Sequence, residues 1–272
     1  MPRDLAAERD RVLNDLPMLE KSEKVPVLAS SKVDSSDPDS RPVQRRPSKD
    51  KIERDMDKQD AWAEIKPYTK SLTPSDVDSS VKLEDAAFPP HERASREKFL
   101  YRYTRCGEIC LGLFTSARTD SDELDSSLPT ASVAQTVSSD EPERKSILLA
   151  HCVATKTANP AIRDDDMEIP PNWQQSSKFS TVGHNDAGRT VCIHSLAVLP
   201  AYHGKGLGST LLKAYIQRIE QSGIADRIAL LAHGSLVRFY EIFGFVSQGP
   251  SQAQFGGGGW FDMVLELNSK PY

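Results

Sequence analysis

The sequence predicts an α/β fold built on one mixed sheet, and three observations carry that expectation. Strand-like apolar runs alternate with helix-period stretches between Ile65 and Leu267. One of those runs ends in Leu196-Ala197-Val198, bends at Pro200 and enters Gly204-Lys205-Gly206-Leu207-Gly208, where an amphipathic helix opens. The last two apolar segments, from Phe245 onward and from Phe261 to Leu267, read as a closing antiparallel pair.

Taken in order, Ile65 to Thr69 reads as the first strand. Thr73-Pro74-Ser75-Asp76 starts a helix, with a hydroxyl cap, Pro at the first position and an acid in the first turn. Ser95 caps a second helix carrying Phe99, Leu100 and Tyr103. Ile109 to Phe114, Ile147 to Thr155 and Val191 to Val198 supply the second, third and fourth strands. Leu211, Leu212, Tyr215, Ile216 and Ile219 share one stripe of the helix after the glycines, which Gly223 ends. Ile228 to Ala232 is a continuous apolar run, as a strand covered on both faces requires, and Ser235 to Phe243 makes the last helix.

Composition assigns these elements to one domain with solvated additions. Hydrophobic residues are 38% and charged residues 27% of 272, too polar for two full cores. Residues 1–60 read as a largely disordered N-terminal tail, and residues 61–270 as the domain, with insertions at about 116–145 and 157–189. Trp173 is the one bulky anchor in the second insertion, and docking on the domain surface is its expected use. A net charge of −5 argues against a nucleic-acid binder. Cys106, Cys110, Cys152 and Cys192 lie in or beside apolar stretches with no Cys-x-x-Cys pair, so buried thiols are expected and no metal site. The charged N-terminus lacks a secretory apolar core, and no apolar stretch approaches the roughly 18 residues that span a bilayer. No membrane association and a cytoplasmic location are the resulting expectations.

The glycine segment has the layout of an anion cradle. Glycines let the backbone approach closely, unpaired amides point into the turn, and the following helix adds the positive end of its dipole. A triphosphate loop of the Walker type needs Gly-Lys-Ser/Thr, whereas here Lys205 precedes Gly206. A dinucleotide fingerprint needs a third glycine that does not follow Gly208 at the required spacing. Two readings remain at this point: a cradle for the pyrophosphate of coenzyme A, or a glycine-rich loop that binds nothing.

Leu196-Ala197-Val198 followed by His203-Gly204-Lys205-Gly206-Leu207-Gly208 resembles the coenzyme-binding motif of the GNAT acyltransferases, most of all the arylalkylamine N-acetyltransferases. His203 stands where that family carries Arg or Gln, though its amide can still serve. Phe239-Tyr240-Glu241-Ile242-Phe243-Gly244-Phe245, Leu83-Glu84-Asp85-Ala86-Ala87-Phe88 and Cys110-Leu111-Gly112-Leu113-Phe114 resemble further segments of the family, so the likeness runs from about Ile65 to Leu267. It implies a mostly antiparallel sheet with helices on both faces and a cleft where the fourth and fifth strands splay apart. It also implies acetyl-CoA as cosubstrate, held by Leu196, Ala197, Val198, His203, Gly204, Lys205, Gly206, Leu207, Gly208 and Ser209.

Acetylating a primary amine sets its own demands. The amine arrives as an ammonium with a pKa of about 10.4, and only its neutral form attacks a thioester. His194, with an ordinary pKa near 6.5, suits the base, and Tyr240 can donate to the departing thiolate without prior ionisation. The resemblance assigns the same roles. The family's two-histidine relay keeps its second member as His194, while Cys192 replaces the first. Phe88, Pro89 and Trp260 are the expected substrate-facing residues, with Trp260 able to stack on an arene or attract an ammonium. Glu92 lies where some insect relatives place a catalytic glutamate, but its first reading is a solvated loop acid. The expected function is acetyl transfer to a small amine, either an arylalkylamine or a polyamine. A protein or peptide N-acetyltransferase and a non-catalytic acyl-coenzyme-A sensor are the alternatives. Arg45-Arg46-Pro47-Ser48 resembles a basophilic kinase site through which relatives recruit 14-3-3 proteins.

Overall fold

The computed structural model describes residues 65–118, 127–137, 144–175, 180 and 182–267. The expected tail and Ser48 lie outside the described residues, as do parts of both insertions. The strands are β1 (Tyr68–Ser71), β2 (Leu111–Arg118), β3 (Gln135–Thr136), β4 (Arg144–Thr157), β5 (Thr190–Val198), β6 (Arg227–Ala232), β7 (Val246–Pro250) and β8 (Phe261–Glu266). They form one sheet in the order β1-β2-β4-β5-β6-β8-β7, with β3 on β4. All pairs are antiparallel except β5 with β6.

The helices begin and end where local chemistry requires. Asp76 accepts from the Thr73 amide at 2.9 Å and hydroxyl at 2.7 Å, holding the short turn that leads into α1 (Val77–Ala87). Ser95 caps α2 (Arg96–Cys106) by accepting from the Lys98 N–H at 3.2 Å. The short helix α3 (Asp164–Met167) belongs to the second insertion. The next, α4 (Leu207–Ser222), buries Leu211, Leu212, Tyr215 and Ile219 and ends at Gly223 with φ 63°, as the pattern predicts. The last is α5 (Val237–Glu241).

Several boundaries differ from those expected. The first strand starts at Tyr68 rather than Ile65, because Lys66 takes a left-handed φ of 45° just before Pro67 and turns the chain. Gly107–Ile109 forms a 3-10 turn, so β2 begins at Leu111 and runs on to Arg118. The first insertion contributes β3, while buried Leu128 and the Thr130 hydroxyl, bonded to Leu148 O at 2.8 Å, tie it to β4.

Helices α1, α2 and α4 pack on β4 and β5. Their shared core includes Leu83, Phe99, Leu148, Val191 and Tyr215, whose hydroxyl donates to Ile109 O at 2.8 Å. A smaller apolar cluster joins Ile162 and Met167 of the second insertion to Cys192, Ala229 and Val264 of the sheet. Trp173 docks as expected: its ring is buried edge-on to Tyr101 with centroids 5.4 Å apart, and Arg105 donates to its carbonyl at 2.7 Å.

Removing the α2 cap strands an amide with no intrahelical acceptor. Ser95→Ala is expected to lower unfolding stability by about 1 kcal/mol, read by urea denaturation; an unchanged midpoint would deny the cap that role.

Candidate active site

The parallel pair creates the site by stopping early. β5 and β6 pair only from Thr190↔Arg227 to Ile193↔Leu230, whereas β4 stays paired with β5 as far as Ala150↔Val198. Beyond Ile193, then, β5 presents main-chain groups toward a cleft instead of toward β6. The β4–β5 register steps from Ala154↔Ile193 to Val153↔Ser195, which makes His194 the extra residue of a bulge at the mouth of that cleft.

At the outer end of β5 lies the glycine segment. Gly204 and Gly206 hold φ values of 76° and 82°, which an L side chain adopts only with strain. The first bond of α4 runs from the Thr210 N–H to Gly206 O at 3.1 Å, so the amides of Leu207, Gly208 and Ser209 have no acceptor within the helix. A Cβ on Gly208 would stand 3.3 Å from the Val198 side chain. His203 differs from its expected role: its amide is bonded to Pro200 O at 3.1 Å and its Nε2 to Val198 O at 2.9 Å. The amides turned to an anion therefore begin after it. Lys205 lies 5.0 Å over the Tyr202 ring.

Two cavities share Leu196, Leu236 and Tyr240. The larger, about 530 Å³, runs along the glycine segment past Leu196, Val198, Gly206 and Ser209. Ala197, between those strand residues, points into the core and is buried. The smaller cavity, about 90 Å³, is walled by Phe88, Glu92, His194, His233, Phe255 and Trp260. Of the expected substrate-facing residues, Phe88 and Trp260 reach this wall, while Pro89 lies exposed and outside it.

Tyr240 sits at the junction, its ring edge-on to Phe239 and Phe245. Burial pushes its phenol above the ordinary value, so it stays protonated as a donor. His194 is half-buried, with Nε2 2.7 Å from the Thr155 hydroxyl and Nδ1 3.0 Å from Met167 Sδ. Burial, then the nearby charges of Arg102 and Lys98, hold its pKa well below the usual imidazole range.

Sequence reasoning missed a buried network beneath the cleft. His151 Nε2 lies 3.1 Å from Glu84 Oε2 and 2.9 Å from Ser195 Oγ, and the Ser195 hydroxyl donates to Glu84 at 2.8 Å. Burial pushes the Glu84 carboxyl up, but His151, the Ala94 N–H and Ser195 outweigh it and hold the carboxyl below its ordinary value. The three residues come from α1, β4 and β5, and the only sequence signal was polar side chains inside apolar runs. A second feature it missed is the clamp made by Asp164. Its carboxylate accepts from the Gln254 amide at 2.9 Å and the Phe255 amide at 3.0 Å, joining α3 to the loop that carries Trp260. In that loop the Trp260 indole donates to Phe255 O at 2.7 Å.

Comparison with known proteins bears on this geometry. Residues 148–267 match the family model described as acetyltransferase (GNAT) domain. Serotonin N-acetyltransferase of Mesocricetus auratus is 37% identical over 73 residues, 27% of this chain and 35% of that protein. Its counterpart in Macaca mulatta is 32% identical over 89 residues, 33% of this chain and 44% of that protein. These matches span less than half the length of the curated relatives. Among solved structures, the loading GNATL domain of CurA from Lyngbya majuscula aligns with TM-score 0.50 and 12% identity, over 75% of this chain and 99% of that one. The GphF GNAT-like decarboxylase in complex with isobutyryl-CoA aligns with TM-score 0.50 and 16% identity, over 74% and 100%. The fold is shared with both.

The depressed His194 pKa has a thermodynamic consequence. Unfolding returns the ring to an ordinary value near 6.5, so below that pH the unfolded chain binds a proton that the folded chain refuses. Stability contributed by the neutral ring is present above pH ~6.5 and falls by up to about 1.4 kcal/mol per pH unit below it. The unfolding free energy of His194→Gln, measured from pH 7 to 5, should fall less steeply than wild type; parallel slopes would show that folding leaves the ring's affinity for protons unaltered.

Proposed function

The chain carries a GNAT acetyltransferase domain, and we propose that it transfers the acetyl group of acetyl-CoA to the nitrogen of a small primary amine by direct attack in a ternary complex. The observation that carries this reading is the meeting of the two cavities at Tyr240. One cavity has the shape and donors for a long anionic cosubstrate, and the other accommodates the end of a slender acceptor.

The residues present fit the cosubstrate. Amides at the start of α4, with its positive dipole end, would hold the pyrophosphate. Main-chain groups of Leu196 and the Val198 N–H, left without a β6 partner by the early end of pairing, would bond the amides of the pantetheine arm, while Val198 O is held by His203. That arm supplies a thioester carbonyl at the junction, and Tyr240 would give its proton to the departing sulfur. Two imidazoles, His194 and His233, stand on the acceptor wall, and one of them would receive a proton from the amine. Phe88 and Trp260 would pack along the acceptor's carbon skeleton. A cavity of about 90 Å³ favours a small amine over a folded protein chain, which is why the peptide acetyltransferase reading stands second.

Free-thiol release with acetyl-CoA and tryptamine, spermidine or a lysine peptide tests this reading. Release with a small amine and not with the peptide is expected; release with none, despite coenzyme binding, would leave an acyl-coenzyme-A sensor. Tyr240→Phe should lower kcat by about 10-fold or more with little change in acetyl-CoA affinity. Gly206→Val, forced into a left-handed φ, should weaken acetyl-CoA binding by about 10-fold or more by calorimetry. Unaltered affinity in that variant would remove the cradle.

A further inference from the structure

Deprotonating the acceptor requires an imidazole with a free nitrogen, a partner to steady the cation it becomes, and a route for the proton to solvent. His194 meets none of these fully. Thr155 engages Nε2, Met167 abuts Nδ1, and the surrounding cations oppose protonation. His233, at the end of β6 on the opposite lip of the cleft, meets all three. Its Nε2 lies 3.1 Å from Glu92 Oε2 and its ring lies over Trp260 with centroids 4.1 Å apart, so carboxylate and indole fix the imidazole from two directions. With the Nε2 proton directed at Glu92, Nδ1 is left as the acceptor. The His233 side chain is 44% exposed while that of Glu92 is 11% exposed, which places the orienting charge inside and the proton-releasing ring at the solvent edge.

We infer that His233, oriented by Glu92, is the base that takes the acceptor's proton. The inference rests on the acetyltransferase reading above and deepens it. In the balanced step, the ammonium brings three protons and the amide product keeps one. His233 Nδ1 takes one and passes it to water, after which the neutral nitrogen attacks the thioester carbon. The C–N bond forms, the C–S bond breaks with its electron pair going to sulfur, and Tyr240 protonates that sulfur. The last nitrogen proton returns Tyr240 to its starting state. The Glu92 carboxylate stabilises the imidazolium in the interval, much as a buried carboxylate supports an imidazole general base elsewhere.

The titratable groups around His233 are few. Glu92 faces it directly, and His91 from the same loop lies behind with Nε2 3.4 Å from Glu92 Oε1. Tyr240 from α5, Glu84 from α1 and His194 from β5 line the same cavity, and Asp262 of β8 is paired with Leu231, two residues before His233. Because the base must be unprotonated, activity falls as pH drops through its pKa. Losing the Glu92 charge removes support for the imidazolium and should move that acid limb to lower pH.

The experiment measures kcat and kcat/KM against pH for wild type, His233→Asn, Glu92→Gln and His194→Gln, using the best small amine and saturating acetyl-CoA. Acetyl-CoA titration of each variant reports whether the fold is intact. His233→Asn is expected to lower kcat by about 100-fold or more and to abolish the acid limb, with acetyl-CoA affinity within about twofold of wild type. Glu92→Gln is expected to keep an acid limb displaced to lower pH, and His194→Gln to keep the limb in place. If His233→Asn stays within about threefold of wild type and retains the limb, or if His194→Gln abolishes it, the assignment is overturned while the acetyltransferase reading stands. A wild type that releases no thiol with any amine overturns both.

Discussion

Everything in the site depends on two parallel strands parting. Had β5 and β6 remained paired beyond Ile193↔Leu230, the main chain at Leu196 and Val198 would be satisfied within the sheet and no cleft would exist. The chain keeps the rest of the sheet continuous around this break: β4 continues along β5, and β8 continues along β6 as far as Ala232↔Phe261. Each diverging strand therefore has one bonded neighbour and one open edge. Main-chain groups at the open edge of β5 face the path from the glycine segment to Tyr240, with Val198 O already bonded to His203 Nε2.

Charge is arranged around the break so that the two lips behave differently. On the β5 side, burial and the cations of Arg102 and Lys98 keep His194 neutral, while Glu84 beneath it is held ionised by His151, Ala94 and Ser195. Arg102 is itself fully buried, with one guanidinium nitrogen bonded to Met167 O at 3.1 Å. Glu84, Arg102, His151 and Ser195 are all buried on this side. On the β6 side, the His233 ring stands at the solvent edge and Glu92 lies behind it. The same imidazole side chain is thus hydrogen-bonded and half-buried on one lip and open to solvent on the other.

Sequence reading succeeded where signals are local. The capping residues Thr73 and Ser95, the apolar stripe ending at Gly223, and the glycine segment opening α4 each specify a conformation within a few residues. The resemblance carried the mostly antiparallel sheet and the splay that periodicity leaves open. What escaped was long-range. Two residues of β3 have no periodicity to detect, and Asp166, in a run of three acids, is buried against Asn159. Glu84, His151 and Ser195 lie in three separate elements, and Glu92 is 141 residues from His233. His203 was expected to offer its amide, but the 3-10 turn at Pro200 had already used it.

The Asp164 clamp makes one wall of the smaller cavity answer to a segment outside the sheet. Gly256, Gly257, Gly258 and Gly259 all have positive φ, so the loop ahead of Trp260 has little conformational preference of its own and takes its position from Asp164 and the Phe255 carbonyl. The smaller cavity and the glycine segment are thereby positioned by different stretches of chain. Under the proposed function, variation at Asp164 would retune which nucleophile is admitted while residues 204 to 209 stay untouched, a modular division that would let one scaffold diversify without relearning its shared chemistry.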